Sequence, residues 1–217
     1  MNELFTTSDG SHSLLSADFS VPYHSRHGAI GETQHVFIDA GLKSKKDFDH
    51  VSILDIGFGT GLNAFMSFLY GSTINNSIYY EAIEAYPVDL STVRALNYAE
   101  RLNSDNSPFL QMHELDWDIK HSLNDKFIFQ KKHSKFQNFT SSHQFDVIYY
   151  DAFAPTAQPE LWEPGILSKM YTLLNDDGVL VTYCAQGQFK RNLKAVGFTI
   201  EPLPGPVGKR EMTRARK

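Results

Sequence analysis

Four places along the chain carry residue types able to handle a nucleoside and a reacting group. The first is Asp55-Ile56-Gly57-Phe58-Gly59-Thr60-Gly61-Leu62-Asn63. Glycines let a backbone approach a ligand closely and take torsions that a side chain forbids. An apolar run, VSILDIG, precedes the loop and a helix-like stretch, LNAFMSFLY, follows it. The loop therefore opens a helix whose first N–H groups are unpaired and free to meet a ligand. Its glycines are spaced GxGxG, not the GxGxxG of a pyrophosphate-binding turn. That spacing disfavours a nicotinamide-dependent dehydrogenase. A glycine-rich strand–helix turn without a ligand is the plainer reading, and the order and context of the loop weigh against it.

Three acids follow. Glu84 closes the run SIYYEAIE, 23 positions after Gly61, where a carboxylate can accept both ribose hydroxyl protons of a nucleoside. Any lone glutamate can be a surface acid, but a strand end beyond a glycine loop suits this chemistry. Asp116 ends a third short run, PFLQMHEL, and would meet an adenine amino group from there; Glu114 and Asp118 compete for that role. Asp151 closes FDVIYYDAF and begins Asp151-Ala152-Phe153-Ala154-Pro155. Ligands of open α/β sheets bind beyond the carboxyl ends of the strands, so Asp151 points at the reacting centre. A turn-capping aspartate is the alternative. Pro155, Pro159 and Pro164 stiffen the loop that follows, which makes Phe153 and Trp162 candidates for a rigid wall. The nine histidines form no HExxH pair, and no GxSxG elbow, P-loop or EF-hand loop occurs, so no metal is expected. Cys184, the single cysteine, lies in an apolar strand pattern and reads as core.

These residues need a frame to hold them. From Val51 onward short apolar runs alternate with helix-like stretches, the pattern of βαβ units and a parallel sheet. Leu62, Phe65, Met66 and Leu69 share one helical face. Pro87 suits the first turn of a helix reaching about Leu102. LWEPGILSKMYTLL reads as a helix stopped by Asn175 to Gly178, and Gly178 opens the strand VLVTYC. FKRNLKAV is a short helix ending at Gly197 in a left-handed cap. The tail, FTIEPLPGPVGKREMTRAR, reads as two strands joined by a Pro/Gly loop. Residues 1–50 look like hairpins and a helix preceding the sheet. Residues 117–144 look like an insertion that a hairpin would fit.

The 217 residues suit one domain, and 41% hydrophobic with 13% aromatic content supplies a sizeable core. The net charge of −5 argues against general nucleic-acid binding, which rests on phosphate neutralisation by Lys and Arg. Positive charge collects in Lys120 to Lys135 and at Lys209, Arg210, Arg214, Arg216 and Lys217; such runs are often only solvated surface. No apolar run approaches the roughly 20 residues of a membrane span, and the N-terminus lacks the features of a secretory signal. A lone cysteine, with no internal disulfide, suits a reducing cytoplasm.

The glycine loop resembles the first motif of class I S-adenosylmethionine (SAM)-dependent methyltransferases. DIGFGTGLNAF, EAIEAYP, YYDAFAPTAQPELWEPGILSKM, LVTYCAQGQFKRNLKAVGF and PGPVGKREM together resemble the methyltransferase domain of the MnmC-type tRNA-modifying family. YHSRHGAIGETQHVFIDAGL is similar to that family's segment before the sheet. The resemblance implies a Rossmann-like α/β fold with a mostly parallel seven-stranded sheet and helices on both faces. An N-terminal extension would cover 1–50 and the methyltransferase domain 51–217. It implies SAM on Asp55, Gly57, Phe58, Gly59, Thr60, Gly61, Asn63, Glu84, Asp116 and Asp151, with Asp151 catalytic. The acceptor would be the amine of 5-aminomethyl(-2-thio)uridine at the wobble position, in the anticodon loop of tRNA. Phe153, Pro155, Trp162 and Tyr23 would meet that base, and Lys209, Arg210 and Arg214 its phosphates. The family's fused members carry a second, FAD-dependent domain; without it, the amine must come from a separate oxidoreductase or an upstream tRNA-modifying enzyme. Two other readings stay open. The acidic net charge suits a class I methyltransferase acting on a small-molecule amine, and a binding module without catalysis is the third.

Overall fold

The computed structural model describes residues 2–217. A two-stranded hairpin comes first, β1 (Glu3–Thr6) against β2 (His12–Leu15). Helix α1 (Ala29–Thr33) then runs on through a π-helical turn, Gln34–Asp39. The sheet begins with β3 (His50–Ile56), followed by α2 (Leu62–Gly71) and β4 (Ser77–Glu84). Three short helices come next: α3 (Leu90–Arg94), α4 (Tyr98–Arg101) and α5 (Ser107–Glu114). The chain continues through β5 (Lys120–Asn124), β6 (Phe127–His133), β7 (Phe145–Tyr150), α6 (Pro164–Leu173) and β8 (Leu174–Thr182). It ends with α7 (Gly187–Val196), β9 (Thr199–Pro204) and β10 (Glu211–Arg216).

Eight strands form the main sheet in the order β5-β6-β4-β3-β7-β8-β10-β9, one more than the seven expected. The five central strands are parallel, whereas β5, β10 and β9 pair antiparallel to their neighbours. Alternation of side chains about the pleat divides the core in two. On β7, Val147 and Tyr149 join the layer of α2, α5 and the π turn. Ile148 and Tyr150 join the layer of α6 and α7. All six residues of β7 are buried, as a strand covered on both faces requires. The chain leaves β3 toward β4 and β6, then returns to β7 on the other side. The switch point therefore falls between β3 and β7, where open sheets hold their ligands.

The third strand is not where the sequence pattern put it. PFLQMHEL is helix α5: Pro108 sits in its first turn, and Phe109 and Met112 are buried at a helical spacing of three. The expected insertion at 117–144 supplies the missing strand, since β6 runs parallel to β4 from Ile78↔Phe127 to Glu84↔His133. Its polar stretch disguised it. Lys131 is 1% exposed, donates to the His113 carbonyl and lies 4.5 Å from the Trp117 ring centroid. Two boundaries also move. The helix after Pro87 breaks into α3 and α4, and Asn175 to Gly178 lie within β8, where the pairing with β7 shifts register.

Candidate active site

A cavity of about 410 Å³ opens at the carboxyl ends of β3, β4, β6 and β7, a volume in the usual range for small-molecule sites. Gly57, Phe58, Gly59, Thr60 and Asn63 line it from the glycine loop, Glu84 from β4, and Asp151, Phe153 and Ala154 from the end of β7. Gly57 has φ +104°, and a Cβ there would meet the Asp151 carbonyl oxygen at 2.9 Å. A bare backbone at this point lets the β3 and β7 ends close on each other and leaves the cradle open. Glu84 Oε2 accepts the Gly59 N–H at 2.8 Å and Oε1 the Tyr86 N–H at 2.7 Å. Each oxygen keeps lone-pair capacity for a ribose hydroxyl. Burial raises this carboxyl, and the N–H bonds of Tyr86 and Gly59 draw it back.

Asp151 lies deeper. Its Oδ2 accepts the Asn63 amide at 2.9 Å, and Thr33 holds Asn63 from behind at 3.1 Å. Burial, then the charge of Glu32, pushes the Asp151 carboxyl from 3.8 up to about 7, against the opposing pull of Asn63 and Lys209. A carboxylate so placed exchanges a proton near neutral pH.

Several expected residues sit elsewhere. Asp116 lies in the loop before β5, where its carbonyl accepts a bond from His121, and it is not among the cavity's lining residues. The corresponding strand end is that of β6, and Ser134, Lys135, Phe136 and Gln137 line the cavity there. Asp55 is wholly buried beneath the loop, takes the Tyr80 hydroxyl at 2.6 Å and leaves Oδ1 without a partner; burial raises its pKa well above the usual value. Gly61 faces away from the cavity, where a Cβ would strike the His113 ring, and caps α2 at φ +76°. Trp162 is not a wall but a support. It is 6% exposed, packs tilted against Tyr150 and edge-on against Phe189, and its indole N–H holds the Phe153 carbonyl at 2.8 Å. Pro155 lies in the turn closed by Ala157 on Ala154 and does not reach the cavity.

The C-terminal cations also divide. Lys209 lines the cavity, paired with Glu32 at 2.6 Å. Arg210 is exposed in a shallow groove that shares Tyr183 and Lys209 with it. Arg214 is bound to Glu201 at 2.5 Å and to the Ala40 carbonyl, so it is not free for phosphate. Three lining residues had no signal in the sequence. Glu32 is a single acid in a short helix, Tyr183 lies just past a strand, and Phe19 lies in an N-terminal turn. Phe19 extends an aromatic row, 5.6 Å from exposed Tyr86 and 4.7 Å from Phe153, which Tyr23 continues at 5.1 Å. Among the described residues, no three His, Cys, Asp or Glu side chains gather as a metal site, and no helix is long and apolar enough to cross a membrane.

An open α/β sheet with a glycine loop at its switch point and a carboxylate at the end of the next strand has the layout in which such sheets hold small ligands. Residues 109–217 match the family described as S-adenosyl-L-methionine-dependent methyltransferase, and the chain belongs to it. SAM is accordingly its cofactor, and the bare loop beside Glu84 fits that group. The tRNA 5-methylaminomethyl-2-thiouridine biosynthesis bifunctional protein MnmC of Acinetobacter baylyi is 28% identical over 225 residues, covering 95% of this chain and 36% of that protein. Its counterpart from Aromatoleum aromaticum is 29% identical over 227 residues, covering 97% and 34%. The chain thus spans about a third of the length of these relatives. The crystal structure of MnmC2 from Aquifex aeolicus matches with a TM-score of 0.81 at 23% identity, over 99% of this chain and 70% of that one. The fold is the class I methyltransferase fold.

Proposed function

We propose that this chain transfers a methyl group from SAM to the primary amine of 5-aminomethyl(-2-thio)uridine at the wobble position of tRNA, in the cytoplasm. The names of the MnmC relatives supply the substrate class. The observation that carries the chemistry is Asp151, a carboxylate held by Asn63 inside the cavity and pushed up to about 7. Bound SAM supplies an electrophilic methyl on a sulfonium. An alkylamine is mostly protonated at neutral pH and must lose a proton to attack. Asp151 takes that proton and orients the nitrogen lone pair toward the methyl group that SAM, held on the glycine loop and Glu84, would supply, its bonding pair staying on sulfur. Most of the remaining acceleration is positioning and exclusion of water.

In this reading Gly57, Phe58, Gly59, Thr60, Asn63 and Glu84 hold the cofactor, and Phe153 with Tyr23 stacks the splayed base. A base in a single-stranded loop can enter such a pocket without melting a duplex. Within the 1–50 extension, the described residues 2–50 pack on the methyltransferase part and cover this end of it. The amine would come from a separate FAD-dependent oxidoreductase or another upstream enzyme. The test is transfer of a labelled methyl group from SAM to tRNA carrying 5-aminomethyluridine, with nucleoside analysis of the product. A secondary amine at the wobble base is the expected result, and no incorporation would overturn it. The internal pairing of Arg214 and Arg216 with Glu201 favours one second reading, a small-molecule amine acceptor. Transfer to the free aminomethyl nucleoside as fast as to tRNA would select it.

A further inference from the structure

The sheet alone does not close the acceptor end of the cavity. Glu32 comes from α1, ahead of the sheet, and Lys209 from the loop between β9 and β10, yet both line the same cavity as Asp151. Glu32 is 7% exposed, and each of its oxygens is engaged: Oε1 by Lys209 Nζ at 2.6 Å, Oε2 by the Ser25 N–H at 2.8 Å. Lys209 Nζ also sits 4.0 Å from the centroid of the Tyr183 ring, a cation–π contact. The Tyr183 hydroxyl donates to the carbonyl of Ala152, the residue after Asp151, at 2.8 Å. The pair is therefore fixed at both ends and tethered to the strand end that carries the acid. An ion pair with Glu32 buried and Lys209 32% exposed is a poor source of stability, because desolvation of the one and solvent screening of the other offset its attraction. Its place beside Asp151 gives it another use.

We propose that the Glu32–Lys209 pair is a positioning element of the acceptor site, whose two fixed charges of opposite sign set how tightly Asp151 holds a proton. This rests on the reading of Asp151 as the group that takes the amine's proton. Besides the pair, the titratable side chains of Tyr23, His24, Glu84, Tyr86, Lys135 and Glu160 line the same cavity as Asp151. Asp55 lies behind it on β3, and Tyr80, Tyr98 and Tyr183 are kept neutral by burial. Asn63 contributes a neutral hydrogen bond. Glu32 and Lys209 act on Asp151 in opposite directions, the first raising and the second lowering its carboxyl. With both present, Asp151 changes protonation near neutral pH, where an amine's proton can be taken and then released to solvent.

The two members of the pair must then have opposite effects, which a merely structural role would not produce. The experiment is an NMR titration of protein labelled with 13C at the aspartate carboxyl, with Asp151→Asn identifying the Asp151 resonance. Glu32→Gln should move the Asp151 midpoint down and Lys209→Met should move it up, each by about one pH unit. Lys209→Arg, which keeps the charge, should return it close to the unsubstituted protein. Midpoints that stay in place, or that move in the same direction, overturn the proposal. If Lys209→Met does not fold, Glu32→Gln and Lys209→Arg decide the matter by a downward movement in the first alone. The titration needs no acceptor. Failure of the tRNA reading, seen as absent methyl transfer by the unsubstituted protein, is thus separate from failure of this one.

Discussion

Asp151 is placed where it harms stability and serves chemistry. A carboxyl raised from 3.8 to about 7 binds its proton more tightly in the folded than in the unfolded chain. Between those values the native state carries more protons, so stability falls as pH rises through the window, and the deficit is complete above 7. The full displacement corresponds to about 4 kcal/mol, and solvent in the cavity reduces this to about 1–3 kcal/mol. Asp151→Asn should therefore stabilise the protein at pH 8 and leave it little changed at pH 4, as urea unfolding at the two values would measure. An equal change at both would mean that the gain has nothing to do with the charge. The same substitution should slow single-turnover methyl transfer by about 10²–10⁴-fold, the usual loss for a positioned acid–base group. Raising the pH to 9 should recover part of that loss, because bulk base then deprotonates the amine. A variant that is slow at every pH would leave Asp151 as a positioning residue.

At the scale of elements, α2 and the glycine loop show what was legible. Gly61 takes φ +76° as the residue before α2, and a Cβ on it would collide with the ring of His113. That ring cannot move aside easily, since Nε2 meets the Thr60 carbonyl at 3.1 Å and Phe58 and Phe109 pack on its faces. Gly61→Ala should cost about 1–3 kcal/mol, from left-handed strain and the displaced ring. The drop should appear in thermal unfolding with or without S-adenosylhomocysteine. A loss seen only as weaker cofactor affinity would place Gly61 in the binding surface instead. The strand–loop–helix rhythm, the acids at Glu84 and Asp151, and the left-handed cap at Gly197 could all be read from the chain, because each follows from local torsions and periodicity. Helix α5 could not be, for a short run mixing Phe109, Leu110 and Met112 with Gln111, His113 and Glu114 suits either state, and the deciding contacts of Phe109 and Met112 are distant ones. Strand β6 was hidden by Lys131, a buried lysine whose partners on α5 and Trp117 are visible only once the chain is folded. Glu32 is the clearest case: its meaning lies entirely in Lys209, 177 residues away.

At the scale of the molecule, a chain of net charge −5 must present its positive charge locally if it is to hold RNA. The structure removes most of the C-terminal cations from that task. Lys209 is committed to Glu32, Arg214 and Arg216 to Glu201, and Lys190 to Glu211. Among the described residues Arg210 makes no ion pair, and it is exposed in the groove that continues outward from Tyr183 and Lys209. A strand of RNA with its target base in the cavity would pass this groove at the next phosphates. Arg210→Ala should accordingly raise the KM for tRNA, leave the affinity for S-adenosylhomocysteine unchanged and reduce the salt slope of log(kcat/KM) by about one. Arg214→Ala belongs to a different class. It removes a charged bond to Glu201 and another to the Ala40 carbonyl, so it should lower folding stability by about 1–2 kcal/mol and leave the salt slope intact. The two variants need only one assay series, methyl transfer to tRNA between about 50 and 200 mM salt, together with unfolding curves. A normal salt slope in Arg210→Ala would return that residue to ordinary surface. A reduced slope in Arg214→Ala would show that its pairing with Glu201 opens when RNA binds.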